Sequence, residues 1–185
     1  MSAPIEPAYQ VRWYVMRAYK RQEATESALA DERHGLNHFV PKRYVERTIR
    51  GEKKRILQPS IPGIFFVHAS RHKIYAFKQF YPMMQYCYHR SHVGLDTPLV
   101  VSDPEMRSFM IIARQMEEDI AYHAPDEIHL SKGDRVRIIG GVFEGVEGTL
   151  LRIKGKRTKR VVVKIEGVVA ISSAEISPDF IEVIK

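Results

Sequence analysis

The rhythm of apolar and polar positions changes near residue 125 and divides the chain into two parts. In the first, "VRWYVM" (11–16) is a β-branched and aromatic run that reads as a buried strand. "KRQEATESALADERHG" follows, rich in helix formers, with Ala24, Ala28 and Leu29 as a modest apolar stripe and Gly35 where a left-handed C-cap belongs. Residues 37–67 read as two extended segments joined by a basic turn at Gly51, with Pro41 and Pro59 interrupting the ladder. "RHKIYAFKQF" (71–80) spaces Ile74, Phe77 and Phe80 three apart ahead of Pro82 and predicts a short helix. "MMQYCYH" (83–89) returns to strand chemistry. Ser102 and Glu105 then form a capping box, and Met106, Phe109, Met110 and Ala113 fall at the i, i+3, i+4, i+7 positions of an amphipathic helix. This mixture predicts an α+β domain over residues 1–120.

Between Glu117 and Leu130 the periodicity lapses, and residues 121–129 read as a linker. Beyond it, "DRVRII", "GTLLRI", "KRVVVKI", "VVAIS" and "FIEVI" alternate apolar and polar residues as short strands of a small antiparallel barrel, residues 130–185. The glycines of "KGDRVRIIGGVFEGVEGTL" (132–150) suggest a phosphate loop at first sight. Such a loop opens a helix, whereas strand patterning follows Gly148, and neither nucleotide-binding glycine spacing is met. Gly140, Gly141, Gly145 and Gly148 are instead expected at positive φ or at close backbone approach in a barrel turn.

Charge narrows the range of partners. The net charge is +7, of which +5 falls in residues 1–124, and seven basic residues between Lys42 and Arg55 face only Glu46 and Glu52. A polyanion such as nucleic acid is the natural partner for this balance, although a basic hairpin is equally readable as a solvated one. The longest apolar run, Ile61–Val67, falls far short of the ~20 residues of a membrane helix, and the N-terminus lacks the apolar core of a signal peptide. Cys87 is the only cysteine, which forbids an intramolecular disulfide and suits a reducing compartment. The expectation is a cytoplasmic monomer without a membrane partner. No cofactor, metal or catalytic residue is expected. The eight histidines are dispersed, "HRSH" (89–92) lacks an evident third ligand, and capping and the helix dipole account for Asp103 and Glu105.

The segment "KGDRVRIIGGVFEGVEGTLLRIKGKR" resembles the KOW motif of SH3-like barrels. "WYVMRAYKRQEATESAL", "IPGIFFV" and "PLVVSDPEM", in that order, resemble the N-terminal (NGN) domain of NusG-family transcription elongation factors. The basic stretch "RYVERTIRGEKKR" is similar to a hairpin of specialised RfaH- and UpxY-type paralogues, antiterminators of surface-polysaccharide operons. The resemblance implies an α+β NGN domain, an antiparallel sheet flanked by helices, followed by an SH3-like KOW barrel.

It further implies that the NGN domain binds the clamp helices of the largest RNA polymerase subunit through an apolar depression, to which Ile61, Ile64, Phe66 and Tyr86 correspond. Ile64 and Phe66 alternate with Phe65 and Val67 along a strand, so one face can serve the core and the other a partner, or the chain's own helices can bury both. A second implied surface touches the non-template DNA strand of the transcription bubble through Lys20, Arg21, Arg71, His72 and Lys73; ordinary solvation also accounts for Lys20 and Arg21. Departures from the family pattern are Ile64 in place of the usual aromatic, Val142 in place of proline, and Glu166 where an apolar residue helps engage a ribosomal protein or Rho. These favour a specialised, operon-specific factor that suppresses pausing and termination, and leave the KOW partner open. The alternative is a ribosome-associated KOW protein that grips RNA through the basic "KGKRTKR" (154–160), a role for which the NGN-like half would be superfluous.

Overall fold

The computed structural model describes residues 8–18, 22–32, 35–89, 96–115, 119–124, 133–152, 159–165 and 167–184. In chain order the elements are β1 (Val11–Ala18), α1 (Gln22–Leu29), β2 (Asn37–Phe39), β3 (Lys42–Ile49), β4 (Glu52–Pro59), β5 (Ile64–Ser70), α2 (Arg71–Phe80) and β6 (Met84–Tyr86). They continue with β7 (Tyr88–His89), β8 (Thr97–Pro98), β9 (Val100–Val101), α3 (Asp103–Arg114), β10 (Ala121–His123), β11 (Arg135–Ile138), β12 (Glu147–Arg152), β13 (Lys159–Ile165), β14 (Val169–Ser172) and β15 (Ile181–Val183). This is an α+β protein with mostly antiparallel sheets. Contacts divide it into two units: Met1–Val40 with Ile61–Asp103, and Pro41–Ser60 with Pro104–Lys185.

The first unit is built on a sheet ordered β2-β5-β1-β6, with β9 also pairing β1. Its spine is the antiparallel pairing of β1 and β5, from Val11 opposite Ser70 to Arg17 opposite Ile64. β-Branched and aromatic side chains suit a pleated surface buried on both sides, and Ile64–Val67 are all buried. On one face Tyr14, Met16, Ala18, Phe65, Val67 and Ala69 join Ala28 and Leu29 of α1 and Ile74 and Phe77 of α2 in a single core. The larger of these, Met16, Phe65, Val67, Leu29, Ile74 and Phe77, each contribute about 1.5–3 kcal/mol when fully buried. α2 starts where the Ser70 Oγ accepts the Lys73 N–H at 3.3 Å, and closes where the Tyr81 N–H donates to the Phe77 carbonyl, one residue before Pro82.

Some local expectations fail for physical reasons. Phe80 does not share the buried stripe of Ile74 and Phe77 but is 72% exposed. Successive i+3 steps drift around a helix by about 60° each, so the third member leaves the face, and it is Tyr81, four residues from Phe77, whose ring stacks on Phe77 with centroids 4.7 Å apart. In α1 the inward positions are Thr25, Ala28 and Leu29, while Ala24 is exposed. Gly35 is not left-handed; it lies where an added Cβ would collide with the carbonyls of Leu29 and Asp31.

The second unit holds the hairpin of β3 and β4, helix α3, and a six-stranded antiparallel sheet ordered β10-β14-β13-β12-β11-β15. Val136, Ile138, Val146, Val161 and Ile171 are among its most deeply buried side chains. The buried Ser173 hydroxyl is satisfied by the Val161 N–H at 3.0 Å and by donating to the Ala174 carbonyl at 2.8 Å. The turn between β11 and β12 has the character its glycines predict. Gly141 and Gly145 have φ of 78° and 85°, and Gly140 lies so close under the Phe180 ring that a Cβ would meet it at 2.9 Å. Strand β10 forms at the start of the stretch read as a linker, pairing Ala121–His123 with Ser172–Ala170. Within this unit the Glu147 N–H donates to the Ser108 Oγ of α3 at 3.1 Å.

Candidate functional site

Pro62-Gly63 makes the turn into β5. Gly63 has φ of 73°, its N–H donates to the Gln22 Oε1 at 2.8 Å, and its carbonyl accepts the Ala18 N–H at 2.9 Å. A Cβ there would approach the Ala18 carbonyl at 3.0 Å, so glycine is required both for its conformation and for the closeness of the β1 backbone. The bend places Ile61 half-buried at the surface. Past it, Ile64 and Phe66 lie on the sheet face opposite the core formed with α1 and α2, on the same side as Trp13 and Val15, and all four are buried. On this face the His68 ring stacks on Trp13 with centroids 4.7 Å apart.

Tyr86 does not join them. Its register partner is Met16, which faces the core, so Tyr86 stands on the α1–α2 side, half-buried against that cluster. Its ring meets Tyr14 edge-on at 5.5 Å and Tyr88 at 6.2 Å, and the Lys78 Nζ lies 5.3 Å from its centroid. Burial pushes its hydroxyl up to about 12, with a smaller contribution from Tyr14, while Arg71, which hydrogen-bonds it, pulls the other way. Strand register therefore separates Tyr86 from Ile64 and Phe66 and brings it to Arg71.

Arg71, His72 and Lys73 form the exposed first turn of α2. The His72 backbone N–H donates to the Ala8 carbonyl at 3.1 Å and its ring lies 5.3 Å from Tyr9. Tyr9 lies by the His72 ring, Tyr75 is one helical turn on from Arg71, and Tyr88 adjoins Tyr86; all three are exposed. Exposed rings interleaved with cations offer stacking surfaces and phosphate contacts together. Phe80, expected in the stripe of Ile74 and Phe77, faces solvent instead, as does Tyr75, which the spacing of the apolar positions does not single out. Lys20, Arg21 and Glu166 lie outside the described residues, as do most of "HRSH" and "KGKRTKR". Among the described residues no group of three His, Cys, Asp or Glu side chains could hold a metal, and no helix is long and apolar enough to cross a membrane.

The protein family described as "Transcription termination factor nusG" matches residues 11–110. A solved structure described as "Domain interaction in Thermotoga maritima NusG" is similar over 95% of this chain and 98% of that one, at 24% identity and a TM-score of 0.45. No curated protein matches the chain.

Proposed function

Since the chain belongs to the NusG family of non-enzymatic transcription factors, we propose that it is an elongation and antitermination factor that binds RNA polymerase and suppresses pausing and termination. Residues 1–120 act as the NGN domain and residues 130–185 as the KOW domain, which recruits a ribosomal protein or another partner. The observation that carries the polymerase contact is the asymmetry of the first sheet. Both helices of its unit join the core on one face, while the other face is also apolar, with the buried Ile64 and Phe66 next to the half-buried Ile61 at the bend. The half-buried corner at Ile61 receives the clamp helices of the largest subunit, with Ile64 and Phe66 buried behind it as its support. Tyr86 belongs instead to a nucleic-acid surface with Arg71, His72 and Lys73, where the non-template strand stacks and pairs its phosphates; Lys20 and Arg21 extend it.

Binding that favours the elongating conformation shifts the polymerase toward it by the difference in affinity for the two states, without any chemistry by the factor. Service to one class of operon, such as surface-polysaccharide operons, is part of this reading. The ribosome-associated alternative is not favoured, because the family match spans residues 11–110 rather than the barrel.

The test is a photo-crosslinking side chain at Ile61 on a stalled elongation complex, together with an Ile61→Asp variant in pull-down and read-through assays. The expected results are an adduct to the largest subunit, and loss of polymerase retention and read-through while circular dichroism stays native. A folded Ile61→Asp protein that binds and promotes read-through at full strength overturns the assignment.

A further inference from the structure

The β3–β4 hairpin has no part in the function above, yet it is the most strongly charged exposed element described. Every residue from Glu46 to Arg55 is exposed, although the two strands stay in register from Lys42 opposite Pro59 to Ile49 opposite Glu52. The turn is tight, with Arg50 and Gly51 both at positive φ, 52° and 85°, the backbone of a two-residue hairpin loop matched to the twist of its strands. Its root lies by β10, where burial raises the Tyr122 hydroxyl and nearby Arg43 opposes the shift. From that root the ribbon projects with both faces in solvent.

Its cations are divided between the faces. Alternation puts Arg43, Arg47 and Lys54 on one, and Lys42, Lys53 and Arg55 on the other, with Arg50 at the tip. Arg47 and Lys54 stand directly opposite each other, a like-charge pairing that works against the ribbon. They turn apart, Arg47 donating to the Gln58 Oε1 at 2.9 Å and Lys54 lying 3.5 Å from Glu52. On the other face the Arg55 guanidinium sits 4.5 Å over the Tyr44 ring. A ribbon that laid one face on a strand of phosphates would gain little from cations on its other face. Cations on both suit a slot with an anionic wall on each side.

We propose that this hairpin inserts edge-on into the major groove of B-form duplex DNA, each face turned to one phosphate wall. The dimensions agree: a strand of eight residues is about 26 Å long, and pleated layers occupy about 10 Å in thickness. The groove is about 12 Å wide, whereas the minor groove, at about 6 Å, excludes the ribbon. A-form RNA, whose major groove is deep and narrow, is excluded on the same ground. The contact is to phosphates and carries no sequence preference of its own. It is independent of the polymerase face and of the first turn of α2.

The experiment is fluorescence anisotropy of the full chain with a labelled DNA duplex, its single strand and the equivalent RNA duplex, across a salt series. Arg47→Gln with Lys54→Gln, and separately Lys53→Gln with Arg55→Gln, should each weaken duplex DNA binding about tenfold and lower the log–log salt slope by about 2, since each phosphate contact contributes about 0.9. RNA duplex binding should be weaker than DNA from the start. Arg71→Gln with Lys73→Gln should weaken single-strand binding and leave the duplex untouched, so failure of the α2 assignment is separable from failure of this one. Thermal melts and circular dichroism establish that each variant is folded. Insertion is overturned if only one face matters, if folded hairpin variants bind duplex DNA as tightly as the parent, or if RNA duplex binds equally well.

Discussion

Two antiparallel strand pairs, β1 with β5 and β3 with β4, share a backbone plan and differ in nearly everything else. β1 and β5 pair over seven positions and β3 and β4 over eight, both in unbroken register, and β4 and β5 are separated by four residues, Ser60–Gly63. Ile64–Val67 are buried on both faces; Glu52–Arg55 are exposed on both. The difference teaches that ladder hydrogen bonds are common to both and decide neither fate. In the β1–β5 pair, alternation supplies apolar groups to both sides and the pair becomes the spine of a unit. In the β3–β4 pair it supplies cations to both sides, and the strand pair remains available to something outside the chain.

Substitutions can break that contrast. The largest effect is expected from Phe65→Ala, which empties a fully buried position in the core; a loss of about 3–5 kcal/mol in denaturant unfolding is expected. A smaller effect is expected from alkaline titration. The Tyr86 hydroxyl is raised to about 12 from 10.0, so the folded state favours the neutral phenol. Its contribution is fully present below the unfolded value, near pH 10, and is lost as pH rises toward 12. Unfolding measured across that window should fall less steeply for Tyr86→Phe than for the parent. The smallest effect belongs to the hairpin: Leu57→Ala, at a position 40% exposed, should change stability by only about 0.5 kcal/mol. A loss from Leu57→Ala comparable with that from Phe65→Ala would erase the distinction between the two pairs.

Much of this contrast is legible in the residues. The bounds of α2, the five strands β11–β15 and the basic hairpin follow from periodicity and turn chemistry, which are local. Strand β10 does not, because three residues in a polar, histidine-bearing stretch become a strand only when β14 is beside them. The placement of Tyr86 is equally non-local. Period two says that neighbours alternate, but only the register Met16 opposite Tyr86 says which side Tyr86 takes. Ile64 and Phe66 were readable as sharing a face, and they do. Which partner meets that face is not written in the alternation.

The clasp on Gly63 has a kinetic corollary. Because Gln22 and Ala18 hold both backbone polar groups of that residue, the Ile61 corner is set before any encounter, and a docking partner need not freeze a mobile loop. Loosening the clasp through Gln22 would then shorten the lifetime of a complex formed there more than it would slow its formation.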